Sequence, residues 1–363
     1  MTRNLLPCCA EISYYREKAS DFDNLVRRHE GSLLLLQGIS KRYRTHSYKF
    51  ACFSGDFVFS NVQVHVTGRK PRKWVPAFRT HKRIRAQDPD LVWVHGLGNI
   101  IQVLHLRWTL GRKTKLIVQH HGERRGSALK RALLKFCSIY VDAFLFTSDE
   151  MAANLGLDRK KVHELMEGST SMKAIAKTVA RASLNIPQEC LVYLWVGRLI
   201  NLKNPLFFLR VFKAFAKQNP MIRLYLLYTD DTLLKESKSL CGDHANIVFV
   251  GRIPHANMAS WYSMADYFVS ASLHEGSGYA LCEAMACHLP PLVPSIPSFR
   301  FMTNEGTCAL LYESQNENSL RSALEHSRQI NRTELQEKVR AQFEARLSYQ
   351  ALAKELISFF ASL

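Results

Sequence analysis

At 363 residues, 47% hydrophobic and 22% charged, the chain has the composition of a folded protein with room for two domains of ordinary size, not of a disordered one. No apolar run approaches the roughly 18 residues that a transmembrane helix needs, and the opening MTRNLLPCCAEISYYREK lacks the apolar core of a secretory signal. The charge is uneven: residues 1–164 hold 29 Lys and Arg against 14 Asp and Glu, and residues 165–363 hold 20 against 17, so +15 of the net +18 lies in the first half.

Nine cysteines without a C-x-x-C pair predict reduced thiols in a cytosolic protein rather than a disulfide framework or a zinc site. The basic clusters are KRYR (41–44), GRKPRK (68–73), HKRIR (81–85), GRKTK (111–115) and ERRGSALKRALLK (123–135). They predict a first half that faces a polyanion: a membrane surface, a nucleic acid or an anionic substrate. The plain alternative is a solvated basic face. Aromatic residues do not interleave with the clusters and no zinc-finger, homeodomain or RNP-type motif is present, so a nucleic-acid partner is not expected.

Along the chain, WVPAFRTHKRIRAQ reads as a helix, DLVWVHG as a short strand and NIIQVLHLRW as a helix. KLIVQHHG reads as a strand, SALKRALLKFCS as a helix, DAFLFTS as a strand and DEMAANL as a helix. A second series begins near 190 with the strand CLVYLWVG and the helix NPLFFLRVFKAFAKQ, which has Pro at its first turn. RLYLLYT, DTLLKESKSL, NIVFVG, HANMASWYSMA, DYFVSAS, PLVPS and CALLY continue the alternation, and the last fifty residues read as helices. Short apolar strands alternating with helices predict parallel sheets covered on both faces, in two doubly wound domains meeting between 165 and 189. Ligands of such folds sit at the carboxyl ends of strands.

Two strand ends carry suggestive groups. Arg198 and Lys203 follow CLVYLWVG on one loop before a helix, a candidate diphosphate clamp, since helix N-termini already favour anions. Cations in a loop are also ordinary solvated charges. DYFVSASLHEGSGYALCEAMAC reads as strand, glycine loop and helix, with Gly276 and Gly278 allowing close backbone approach. Glu275 lies in that loop. Glu283 lies inside the helix among Cys282, Ala284 and Ala286, where it needs hydrogen-bond donors that sugar hydroxyls would supply; the alternative is a solvent-facing edge.

EGSGYALCEAMACHLPPLV resembles the E-x7-E signature of retaining glycosyltransferases with the GT-B fold, glycosyltransferase family 4. VGRLINLKN is similar to that family's G-R-L-x-x-x-K segment, and NIVFVGRIPHANMASWYSMADYFVSASLHEGSG to its base-binding region. The resemblance covers 190–315 closely and reaches back more loosely to 90. It implies an α/β GT-B fold of two Rossmann-like domains facing across a cleft: an acceptor-side domain over 1–165, a nucleotide-sugar domain over 166–340, and a C-terminal helix over 341–363 returning to the first domain.

It also implies roles. Arg198 and Lys203 would hold the diphosphate, and Arg252 and Ile253 would meet the nucleobase. Glu283 would bind the ribose, and Glu275 with Gly276, Ser277, Gly278, Tyr279 and Ala280 would hold the sugar and its phosphate. From the first domain His121 would reach the sugar, with His120 in reserve and His95 a satisfied core residue. The catalytic set implied is His121, Glu275, Arg198 and Lys203. The implied activity is transfer of a hexose, with retention, from a UDP- or GDP-linked donor to a glycan or lipid-linked acceptor in cell-envelope polysaccharide synthesis. No essential metal or other cofactor is implied, because fixed positive charge can meet the leaving diphosphate. Asp88-Pro-Asp90 has the metal-binding pattern of the GT-A scaffold but precedes a strand, and is read as a turn. The expected location is the cytoplasm, peripheral on the inner face of the cell membrane, with the basic first domain against anionic lipid.

The sequence departs from the family pattern in places. No strand with a Gly-Gly loop is recognisable near residue 15. MEGST (166–170) replaces the usual interdomain turn, leaving Glu167 and Gly168 as candidates for a related role. His288 stands where glycine is common, and IPSFRFMT (296–303) replaces a Gly-Gly-x-x-E segment. The rival readings are a non-catalytic basic binding protein on a degenerate GT-B fold, and a sugar phosphorylase or nucleotide-sugar hydrolase.

Overall fold

The computed structural model describes residues 6–69, 71–72, 74–121, 128–153, 155–166 and 168–363, with the side chains of 128–131 outside the description. Two compact units emerge: 1–168 together with 349–363, and 169–348. No helix among the described residues is long and apolar enough to cross a membrane. Glu167 and much of the basic run at 123–135 lie outside the described residues.

The first unit is built on strands Cys8–Arg16 (β1), Arg44–Phe50 (β2), Gly55–Phe59 (β3), Val62–Thr67 (β4), Leu91–His95 (β5), Lys115–Gln119 (β6), Ala143–Phe146 (β7) and Val162–Glu164 (β8). They form one sheet in the order β3-β4-β2-β1-β5-β6-β7-β8, parallel except for β3. This corrects the reading of residues 1–74, where no strand was recognisable: β1 lies mid-sheet between β2 and β5. Its sequence hides it. Residues 8–14 are all buried, because both faces of a central parallel strand are covered, and Glu11 interrupts the apolar run. No Gly-Gly loop follows; the turn after β1 instead runs into a helix at Phe22–Ile39 whose Asp21 caps Asn24 N at 2.8 Å.

The C-terminal helix Tyr349–Ser362 packs in this same unit against Phe22–Ile39. Their approach is close enough that a Cβ on Gly38 would lie 2.5 Å from Ala353 Cβ. Phe360 packs edge-on against Tyr43 and Trp93, and Phe359 stacks on His163 at 4.3 Å. Asp90, half of the Asp-x-Asp pattern, accepts from Cys8 N at 2.7 Å and so fastens the start of β1.

The second unit's strands are Leu191–Val196 (β9), Ile222–Leu227 (β10), Ile247–Gly251 (β11), Tyr267–Val269 (β12), Pro291–Pro294 (β13) and Leu310–Tyr312 (β14), in the order β11-β10-β9-β12-β13-β14 and parallel throughout. Helix Pro205–Lys217 begins with proline, whose fixed φ suits a first helical position, and buries Phe208, Leu209, Val211, Phe212, Phe215 and Ala216. These residues meet Tyr193 and Trp195 of β9 in one aromatic-rich core, where each fully buried large side chain contributes about 1.5–3 kcal/mol. Asp266, just before β12, is buried among Arg181, Lys177 and Arg332 and accepts from Val192 N at 2.7 Å. Its pairing ties β9 to helices Lys177–Ser183 and Arg332–Gln342.

Candidate functional site

The loops after β9 and β12 meet in the second unit. Adjacent pairing of the two strands places Val269 beside Trp195, so both chains leave the sheet at neighbouring points. The β9 loop makes a short turn over Asn201–Lys203, and Leu273 N donates to Leu202 O at 2.9 Å. That bond brings Lys203 onto Glu275, where the ammonium and the carboxylate form an ion pair, and Ser272 Oγ donates to the same Glu275 oxygen at 2.6 Å. The two side chains are 18% and 14% exposed, enough burial for the pair to be held in place yet reachable from solvent. Lys203 and Glu275 line a small cavity with Ser270, Ser272, Gly278 and Tyr279.

Gly278 caps helix Tyr279–Ala286 at φ 61° and contributes no capping side chain. A Cβ there would sit 2.9 Å from Phe299 Cε1 and 3.2 Å from Met302 Sδ, so only glycine fits both the backbone and the space. Gly276 is half-buried, Ser277 buried, Tyr279 exposed and Ala280 half-buried around this helix start. One turn further in, Glu283 is 18% exposed. Tyr262 OH donates to Glu283 Oε2 at 2.8 Å, and His255 Nε2 lies 3.1 Å from Oε1. Burial, then the adjoining carboxylate, pushes the Tyr262 hydroxyl well above its ordinary pKa, so it stays a donor. The donors that Glu283 needs are therefore present in the protein itself.

Arg198 is exposed on the β9 loop, held by Leu199 N to Asp230 O at 2.9 Å, and does not line the cavity that contains Lys203. Arg252 is exposed and Ile253 half-buried immediately after Gly251, which ends β11 at φ 92°. Gly168 is half-buried at the boundary between the units.

In the first unit the two adjacent histidines part company. His120 is buried with its ring stacked on Phe146 at 4.7 Å, and His120 N donates to Leu145 O at 2.9 Å. His121 is half-buried, its Nε2 2.8 Å from His95 Nδ1. His95, read as a satisfied core residue, is buried, and its Nε2 lies 2.7 Å from Glu11 Oε1 without a hydrogen bond.

Sequence reasoning missed Tyr262, His255, Ser272, Glu11 and Lys49. Tyr262, His255 and Ser272 lie inside the segment that resembles the base-binding region but had no role there, and Tyr262 and His255 reach Glu283 from helical turns. Glu11 and Lys49 stand in no motif and meet across neighbouring strands. Among the described residues, no group of three or more His, Cys, Asp or Glu is placed to hold a metal ion.

Residues 191–327 match the family model of glycosyl transferases group 1. The D-inositol 3-phosphate glycosyltransferase of Thermobispora bispora is 25% identical over 244 residues, 61% of this chain and 53% of that protein. The chain spans about a third to a half of the length of the first such relatives it matches. Sucrose-phosphate synthase from Thermosynechococcus elongatus superposes with a TM-score of 0.70 at 18% identity, covering 98% of each chain. Anabaena Alr3699/HepE in complex with UDP and glucose superposes at 0.70 and 14% identity, covering 98% of this chain and 99% of that one. The fold is GT-B. At these identities the likeness is one of fold, and the GT-B character rests on both units, each a mainly parallel sheet with helices on its faces.

Proposed function

We propose that the protein is a retaining glycosyltransferase of the family 4 type, moving a sugar from a UDP- or GDP-linked donor to a glycan or lipid-linked acceptor in cell-envelope polysaccharide synthesis. The observation that carries this reading is the meeting of Lys203, Glu275 and the Gly278-capped helix at adjoining strand ends, within a segment that matches glycosyl transferases group 1. Lys203, Arg198 and the helix N-terminus supply positive charge where a diphosphate leaves, so that charge development needs no metal. Arg252 and Ile253 meet the nucleobase, Glu283 the ribose, and Glu275 with Gly276, Ser277, Tyr279 and Ala280 the sugar. His121 is the first unit's contribution. Glu275 is held by Lys203 as a binding group and not as a hydrolase nucleophile, and retention follows the resemblance of the E-x7-E segment.

The test is thermal stability with UDP, GDP, ADP and their sugars. A bound nucleotide at 100 times its dissociation constant adds about 2.7 kcal/mol. No stabilisation by any of them removes the donor site. Nucleotide release that does not depend on an added acceptor would favour a hydrolase, and binding without turnover would favour a non-catalytic protein.

A specific observation favours a peripheral membrane location. Trp108 is 81% exposed, Trp74 70% and Phe78 57%, with Phe78 and Trp108 both packed on the His105 ring. Arg72, Arg79, Lys82, Arg85, Arg112 and Lys113 are exposed on the same or adjoining segments. Interfacial tryptophans beside basic residues suit an anionic headgroup layer. Trp108→Ser with Lys82→Glu and Arg85→Glu is expected to abolish co-sedimentation with phosphatidylglycerol vesicles; unchanged binding refutes this face as the docking surface.

A further inference from the structure

Trp195 lies near the end of β9 and is 2% exposed, its ring tilted against Phe208 with centroids 5.5 Å apart. Its Nε1 finds no hydrogen-bond partner among the described residues. Burying an N–H without an acceptor is costly, and folded proteins leave few polar groups so. The nitrogen is aimed at the strand end. A Cβ built on Gly197 would meet Trp195 Nε1 at 3.6 Å and, the adjoining residues apart, no other described atom within 4 Å. That is ordinary contact, and Gly197 lies outside the left-handed region, so neither backbone nor packing demands glycine there. What the glycine does is leave space in front of the indole N–H.

That space belongs to the site. Trp195, Gly197, Lys203, Ser270, Ser272 and Glu275 line one cavity of about 30 Å³, which suits a single oxygen. The polar side chains beside the indole are engaged with one another: Lys203 and Ser272 Oγ on Glu275, and Ser270 Oγ on Ser272 Oγ at 3.1 Å. An indole N–H only donates, so whatever completes it must bring an acceptor. A phosphate oxygen is the stronger acceptor, because a hydrogen bond to an ionised oxygen is charge-assisted. It also fits the place, since β9 leads from Trp195 through Gly197 into the loop that carries Lys203.

We propose that Trp195 is a nucleotide-binding residue whose Nε1–H donates to an oxygen of the donor's diphosphate, which approaches over Gly197. The proposal rests on the reading of Lys203 as the diphosphate clamp and adds a neutral, fixed donor beside that cation. It accounts for tryptophan at this position, since a phenylalanine would pack on Phe208 without burying an unpaired N–H. It also gives Gly197 a function that neither its backbone nor its neighbours supply.

The experiment uses the full chain with UDP and GDP, and uridine and guanosine beside them. The five tryptophans give five indole 15N–1H signals, and Trp195→Phe assigns one by removing it. With whichever diphosphate binds, the Trp195 proton is expected to move downfield, and to stay in place with the matching nucleoside. Trp93 Nε1, which also lacks a partner but lies in the first unit, is the internal control and stays in place with both. A Trp195 signal unmoved by saturating diphosphate, or moved equally by the nucleoside, overturns the proposal. So does one that moves only when the sugar is attached, which would assign the acceptor to the sugar. In calorimetric titration Trp195→Phe is expected to weaken the diphosphate about tenfold and to leave the nucleoside unchanged; wild-type diphosphate affinity overturns the proposal. If Trp195→Phe does not fold, Gly197→Ala sets a methyl over the N–H, displaces and so assigns the indole signal, and is expected to weaken the diphosphate to a similar degree; wild-type affinity overturns it. Failure of both UDP and GDP to bind removes the diphosphate site and the proposal with it. Binding that Lys203→Met weakens and Trp195→Phe does not removes the proposal alone.

Discussion

Replacing Lys203 by Met separates two functions of one ammonium. In the protein it pairs with Glu275, both side chains being under a fifth exposed. The Lys203→Met protein keeps Ser272 Oγ on Glu275 at 2.6 Å, so the carboxylate loses its cation but not every partner. Between the roughly 0–1 kcal/mol of exposed pairs and the roughly 3–5 kcal/mol of breaking a buried pair, a loss of about 1–2 kcal/mol follows. For a unit the size of residues 169–348 that is a fall in Tm of about 2–8 °C. Affinity for UDP or GDP, whichever binds, should fall much further in proportion. A charge-assisted hydrogen bond contributes about 1.5–3 kcal/mol, or about 10- to 150-fold in Kd. Glu275→Gln has the opposite sign: it removes an anion from beside the diphosphate and releases Lys203, and should tighten nucleoside diphosphate binding by up to about tenfold. Isothermal titration with the diphosphate and the matching nucleoside reads both effects, the nucleoside being insensitive to Lys203. Diphosphate affinity within twofold of wild type in folded Lys203→Met refutes the clamp.

Tyr262→Phe deletes the donor at 2.8 Å from Glu283 and leaves His255 as the other close partner. A loss of about 1–2 kcal/mol in stability and a several-fold weaker nucleoside are expected; unchanged nucleoside affinity would detach Glu283 from the ribose. Gly278→Ala forces a left-handed alanine, costing about 1–2 kcal/mol, and sets a Cβ 2.9 Å from Phe299, so denaturant melts should show a loss near 2–3 kcal/mol. An equal or higher midpoint would refute the tight fit. Burial first, with nearby cations, lowers His29 to about 3, and burial with His105 lowers His81 to about 3. Both are neutral in the fold while an unfolded histidine protonates near 6.5, so their contribution is intact above that pH and is lost as pH falls towards the folded values. Urea unfolding should weaken by up to about 1.4 kcal/mol per pH unit per histidine below pH 6. His29→Gln should reduce that slope; an unchanged slope would refute the assignment.

The second unit was legible in the sequence because its physics is apolar. CLVYLWVG and NPLFFLRVFKAFAKQ show their burial in composition, and β9 and helix Pro205–Lys217 fall where those segments predict. The start of the chain was not, for the opposite reason. β2, RTHSYKF, is buried from Thr45 to Phe50 yet reads as polar, because His46, Ser47 and Lys49 are satisfied by groups on other strands. Hydropathy measures what a residue would prefer alone, and these residues are never alone in the folded sheet. The same limit governs the site. Lys203 and Glu275 were each recognisable, but their pairing spans 72 residues and depends on β9 lying beside β12. Glu11 and His95 carried no motif, and His95 alone has the look of a core histidine. Only the register that sets Ser47 and Trp93 either side of Glu11 brings a stray acid, a lysine and a strand-end histidine together. Buried polar residues that find one another across strands are the least visible part of a sequence.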